Sequence, residues 1–247
     1  MTASAQTGTQ TILLAPAADT SLYQEDGALS NGLGPTLFVG RTLDGLRRRA
    51  LLRFDTSAIP AHAVIESATL FLSVDRTIAE VVPIDVFRVT AAWGEGASDA
   101  GFPGGIGAPA ELGDATWTFR VFPDQPWDNA GGDTAASASA RFELAGEGSY
   151  AIEASADMIA DLQAWLDQPA SNFGWQFRAD ESQPSPSAKR LASREYPDAA
   201  LQPRLEVFFR GGAVLPDTRS IPAVGWLGLV LLVAALALAG ITHNRPR

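Results

Sequence analysis

The run Ala68-Thr69-Leu70-Phe71-Leu72-Ser73-Val74-Asp75 decides the fold class. Ala68, Leu70, Leu72 and Val74 fall on one side of an extended chain, and Thr69, Phe71, Ser73 and Asp75 on the other. That period of two belongs to a strand with one buried face. Near the end of the body, Leu205, Val207 and Phe209 alternate in the same way with Arg204, Glu206 and Arg210. Working outward, further strands are expected over 11–15, 36–40, 50–54, 83–90, 115–122, 149–152 and 173–178, punctuated by Gly, Pro and Asn. One helix interrupts them. Met158, Ile159, Leu162, Trp165 and Leu166 share a face at helical spacing, Ser155 is placed to cap its start, and Pro169 stops it. The expected class is all-β: a jelly-roll-like β-sandwich with one short helix, followed by a C-terminal transmembrane helix.

The last part of that expectation rests on Ile221–Ile241, IPAVGWLGLVLLVAALALAGI, which carries no charge. As a helix it would span roughly 30 Å, the thickness of a bilayer core. Trp226 sits near one interface, and Arg245 and Arg247 follow, which the positive-inside rule places in the cytoplasm with the body outside. Ile221-Pro222 with Trp226 and Gly228 resembles the Gram-negative C-terminal sorting signals of the IPTL-CTERM type. That resemblance implies a sortase-like processing enzyme as a partner, although Ala223-Val224-Gly225 departs from the usual Thr-Leu continuation. The expected organisation is therefore 1–9, a disordered start or signal-peptide remnant; 10–210, the sandwich; 211–220, a linker; 221–242, the membrane or sorting helix; and 243–247, a basic cytoplasmic tail. Export is expected to place the body at the cell envelope or cell surface, or to release it after tail cleavage.

Composition narrows the chemistry. The net charge of −10 repels nucleic acid, so no nucleic-acid partner is expected. Without cysteine there are no disulfides, thiolate nucleophiles or zinc-thiolate sites. His62 and His243 are the whole supply of imidazole, which leaves little for a histidine metal cluster or a Ser-His-Asp triad. Paired carboxylates and tyrosines remain as catalytic candidates, but no spacing brings them together, so no catalytic residue is assigned and no enzyme is expected.

Four stretches, taken in order, resemble the DNRLRE domains and an overlapping family of carbohydrate-binding modules. They are Ala18-Asp19-Thr20 with Asn31-Gly32 and Leu37-Phe38-Val39-Gly40; Arg49-Ala50-Leu51-Leu52-Arg53-Phe54-Asp55 with Ile59-Pro60 and Ser67-Ala68-Thr69-Leu70; Trp93-Gly94-Glu95-Gly96 with Ala115-Thr116-Trp117, Pro126-Trp127 and Gly131-Gly132-Asp133; and Asp161–Leu166 with Asn172-Phe173-Gly174-Trp175, Ser193-Arg194-Glu195 and Pro203-Arg204-Leu205. The resemblance covers nearly the whole body. It implies a jelly-roll-like sandwich on secreted or surface proteins, and a polysaccharide ligand, acidic in some relatives.

Candidate ligand residues are Trp127, Arg47, Arg48 and Arg49. Trp127 lies in a loop-like stretch, as either a sugar-stacking platform or a plug at the end of the sandwich. Trp117, Trp165 and Trp175 are expected in the core. In a strand, Arg47 and Arg49 face one way and Arg48 the other; they either grip uronate or sulfate groups or pair with local acids. Asp124, Asp128 and Asp133 are either ligands of a structural calcium ion or solvated acids; no cofactor is otherwise required. Gly94–Gly113 is expected as an exposed loop, and Arg194-Glu195 as an internal ion pair. The expected function is a non-catalytic, surface-exposed module that binds or organises extracellular polysaccharide. The alternative is a structural or adhesive surface protein with no glycan binding.

Overall fold

A computed structural model describes residues 8–25 and 27–211. The chain divides after Ala213 into two units, and the second, Val214–Arg247, lies outside the described residues. The expected anchor residues Ile221, Pro222, Trp226, Arg245 and Arg247 lie outside them too, as do most of the expected linker and N-terminal segment. No helix among the described residues is long and apolar enough to cross a membrane.

The strands in chain order are β1 Gln10–Leu14, β2 Pro16–Tyr23, β3 Leu29–Ser30, β4 Thr36–Arg41, β5 Arg47–Phe54, β6 Ala63–Thr77, β7 Val82–Arg88, β8 Ala108–Pro109, β9 Phe119–Val121, β10 Gln125–Pro126, β11 Ala140–Leu144, β12 Gly148–Glu153, β13 Trp175–Ala179, β14 Lys189–Ala192 and β15 Arg204–Gly211. The main pairings are antiparallel and form one curled sheet with two facing layers. In the first layer the long β6 pairs with β15 and then β14 along one margin, and with β12 along the other; β1 extends it beyond β15, and β4 beyond β14. The second layer runs β2-β5-β13-β7-β11. At the corner, Gly40 and Arg41 of β4 also pair with Arg48 and Arg47 of β5, so the layers join there. Gly40 has φ +113°, and a Cβ on it would meet the Ser187 carbonyl at 2.5 Å. Only glycine fits that corner.

The sequence periodicity now has its partner. Leu70, Leu72, Leu205 and Val207 from the first layer pack on Leu52, Ile84, Val86 and Phe177 from the second, all buried. The helix α1, Ala156–Asp167, closes one end, with Ser155 Oγ accepting from the Met158 N–H at 3.1 Å as the expected cap. Met158, Leu162 and Trp165 turn inward, and Trp165 meets Trp175 at 4.8 Å between ring centroids. Each such indole buries about 150–250 Å², a gross contribution of roughly 4–6 kcal/mol. Asp161 on the same helix accepts from Trp175 Nε1 at 2.9 Å and Ser139 Oγ at 2.6 Å, tying the helix to the second layer.

A second, smaller core lies on the outer face of the second layer. Ala18, Leu22 and Leu51 are covered there by Trp93, Ala115, Trp117 and Trp127 from the segment joining β7 to β11. Within that segment Gly94–Gly113 is the expected exposed loop apart from β8, with Phe102, Ile106 and Leu112 exposed, and it is pinned at its ends and at a few points between. Asp114 is fully buried and accepts from the backbone N–H groups of Ala97 at 2.9 Å and Glu111 at 2.6 Å. Asn31 Oδ1 accepts from the Ala100 N–H, and the Tyr23 hydroxyl donates to the Gly104 carbonyl. Those bonds fix a segment that has little regular structure of its own. Strands also replace loop in several places: β2 and β14 carry no clean alternation because both of their faces are covered, whereas β11 alternates, with Arg141 and Glu143 exposed.

Lys189, the single lysine of the chain, is fully buried. Its ammonium donates to Thr77 Oγ1 at 2.9 Å and to the carbonyls of Ala79 at 2.8 Å, Glu80 at 2.6 Å and Ala145. Desolvation holds its pKa below the ordinary lysine value.

Candidate functional site

Strand β5 fixes the arginines. Leu52 and Phe54 point into the main core, so Leu51, Arg49 and Arg47 point to the outer face of the second layer. There Arg49 forms a two-armed ion pair with Glu181, Nε to Oε1 and Nη2 to Oε2, both 2.7 Å. Its third nitrogen donates to the Gly131 carbonyl at 2.7 Å, and its plane lies 4.7 Å above Trp117. Arg47 Nε approaches the same carboxylate at 3.3 Å. Arg178, on the outward face of β13, donates to Thr134 Oγ1 at 2.8 Å and to Gln176 Oε1, and stacks 4.5 Å from the Phe87 ring.

Arg49 and Arg178 line a hollow of about 360 Å³, with Asn129, Thr134 and Phe87 among its other walls. Two guanidiniums line it, Arg49 paired with Glu181 and Arg178 not, so the hollow carries positive charge on a chain of net charge −10. Burial alone would raise the Glu181 carboxyl, but hydrogen bonds and charge from Arg49, with Arg47 and Arg178 behind, pull it below the usual range. Arg178 is pushed down to about 10, by desolvation first and by repulsion from Arg49 second.

The wall of the hollow is the loop 128–133. Asp133 is buried and accepts from the N–H groups of Asp128 at 3.0 Å and Asn129 at 2.8 Å, and from Asn129 Nδ2 at 3.1 Å. Gly131, at φ +89°, lets the backbone come close enough for its carbonyl to accept from both Arg49 and Gln176. A Cβ there would sit 2.6 Å from Arg49 Nη1.

The structure brings together some of the expected site residues and separates others. Arg49 meets the 128–133 loop at the hollow, and Arg47 joins it through Glu181. Arg48 faces the opposite side, 3% exposed, paired with Glu25 and lying 4.7 Å over Tyr23. Trp127 is 5% exposed, its Nε1 donating to the Thr116 carbonyl at 2.9 Å, and so has almost no free ring face. The structure separates the three aspartates expected as calcium ligands or solvated acids, Asp124, Asp128 and Asp133. Asp124 and Asp128 are exposed, Asp133 is spent on the loop backbone, and no group of three His, Cys, Asp or Glu residues among those described is placed to hold a metal ion. Arg178 and Glu181 were not singled out from sequence. The signal for Arg178 was present, since Trp175, Phe177 and Ala179 are core-like and place it outward; Glu181 lies past the strand, where alternation says nothing.

A second ionic cluster is internal. Arg194 Nε lies 2.6 Å from Glu195 and 3.0 Å from Glu95, and fully buried Asp19 accepts from the Arg194 N–H at 2.8 Å. Desolvation, then repulsion from Glu195 and Glu95, raises the Asp19 carboxyl well above its ordinary value. The folded chain therefore holds this proton more tightly than the unfolded chain. The stability it contributes is full below the ordinary carboxylate range and is lost as pH rises through the raised value. Asp19→Asn, which removes the titration but keeps an acceptor, is expected to gain on the parent in thermal stability as pH rises above the ordinary carboxylate range. An unchanging difference as pH rises would contradict it.

No family model matches the chain, and no curated protein matches it.

Proposed function

We propose that this protein is a non-catalytic, surface-exposed module that binds acidic polysaccharide, with the hollow around Glu181 receiving a uronate carboxylate or sulfate. The observation that carries this reading is an open hollow lined by Arg49 and Arg178, with Arg47 on the Glu181 carboxylate that pairs with Arg49. Arg49 is neutralised by Glu181, which leaves the other two guanidiniums able to meet an incoming anion. Phe87 and the stacked Arg178 plane provide a flat surface for a pyranose C–H face. The resemblance to DNRLRE domains and carbohydrate-binding modules supports the same class and a jelly-roll form of the sandwich. The uncharged stretch Ile221–Ile241 supports export and a single-pass anchor, with a sortase-like enzyme as processing partner.

The test is binding of the full chain, in mild detergent, to polygalacturonate and to a neutral glucan. Polygalacturonate should be retained, more weakly as salt rises, and Arg178→Ala should lower its affinity about tenfold, the value of one charge-assisted hydrogen bond. Equal binding of the neutral polymer, or no binding of either, would overturn the reading.

One feature favours a second reading, a structural or adhesive unit with no glycan binding. β1 ends the sheet path among the described residues and carries Leu13, 56% exposed, at an edge able to pair with another strand. Concentration-dependent self-association without glycan binding would favour it.

A further inference from the structure

The outer face of the first layer carries a second groove, with Arg76 and Arg190 at one end of its lining and Arg48, Glu25 and Asp44 at the other. Leu37, Val39 and Leu191 point into the core, so Phe38 and Arg190 point outward from β4 and β14. Arg190 stands opposite Arg76 of β6, and a bulge between Arg190 and Leu191 brings Asp75 beside them. Like charges opposed across a sheet are unfavourable. Asp75 pairs with Arg190 at 2.7 Å, and Arg76 is left exposed with no hydrogen bond, ion pair or aromatic contact among the described residues.

Phe38, Ile78 and Pro103 line a hollow of about 210 Å³ beside Arg76. A neighbouring hollow of about 320 Å³ shares Phe38, Ile78, Gly105 and Ala188 with it, so the two form one elongated groove. Phe102 stands near the Pro103 side, 53% exposed, edge-on to Tyr196 at 5.8 Å and 5.6 Å from the Arg190 guanidinium. An apolar floor, an exposed ring and an unpaired guanidinium match a pyranose that carries a carboxylate: its C–H face lies on the apolar surface and its anion meets Arg76.

The two sites lie on opposite sides of β5, since Arg48 lines the groove and Arg49 lines the first hollow. We propose that the domain is bivalent: the Phe102–Arg76 groove is a second site for acidic polysaccharide, and one domain bridges two polymer chains. This rests on the reading of the Glu181 hollow as the first site.

The experiment titrates the full chain in detergent with trigalacturonate by calorimetry, and mixes it with long polygalacturonate under light scattering. Two trimers per chain and rising scatter are expected. Arg76→Glu, at a side chain with no contacts to lose, should reduce this to one trimer per chain, abolish the rise in scatter and leave the Arg178-dependent site intact. One trimer per chain in the parent, or a stoichiometry unmoved by Arg76→Glu, overturns bivalency alone. No binding of either ligand overturns the first site as well.

Discussion

Trp127→Ala is expected to lower the free energy of unfolding by about 3–5 kcal/mol, the usual cost of emptying a buried large aromatic site. The indole fills the small core against Leu22 and Leu51 and donates to the Thr116 carbonyl, which the substitution leaves without that donor. Because this core is what holds the β7–β11 segment on the sheet, Arg120 within it should become a fast tryptic site in the variant. Urea titration with limited proteolysis checks both. A variant of parental stability would mean that the ring is not a packing element, and would return Trp127 to the list of ligand contacts.

Arg49→Ala should cost about 3 kcal/mol, the lower end for removing one partner of a buried ion pair, since both side chains keep a little exposure. The Glu181 carboxylate keeps only the longer approach of Arg47, and the Gly131 carbonyl loses one of its two donors. Arg49→Lys should recover little of this, because an ammonium cannot span both carboxylate oxygens and a carbonyl from one position. Chemical denaturation of the three proteins decides it, and a fully restored lysine variant would show that charge alone suffices.

Much of the sandwich was legible in residue alternation. Leu70 and Leu72, or Leu205 and Val207, can bury one face only if the neighbouring residues face away, and the helix declared itself through Ser155, its apolar stripe and Pro169. The second core was not legible. Trp93, Trp117 and Trp127 come from irregular backbone, where no period predicts direction, and their burial depends on Asp114, Asn31 and Tyr23 pinning the chain from far along the sequence. The site was half legible for a related reason. Alternation in Arg47-Arg48-Arg49 told which arginines share a face, but the acid they share follows β13, more than a hundred residues later. The three aspartates drew attention to the 128–133 loop; what that loop supplies is backbone geometry and a carbonyl for Arg49, which side-chain chemistry alone does not announce.

The burial of Lys189 has a practical side. With the single lysine enclosed by carbonyls, the folded body presents no side-chain amine to the outside. Acylating dyes, aldehyde fixatives and amine-coupled supports therefore find no lysine side chain to grip on the folded body, and lysyl modification becomes a chemical signature of chains that have opened.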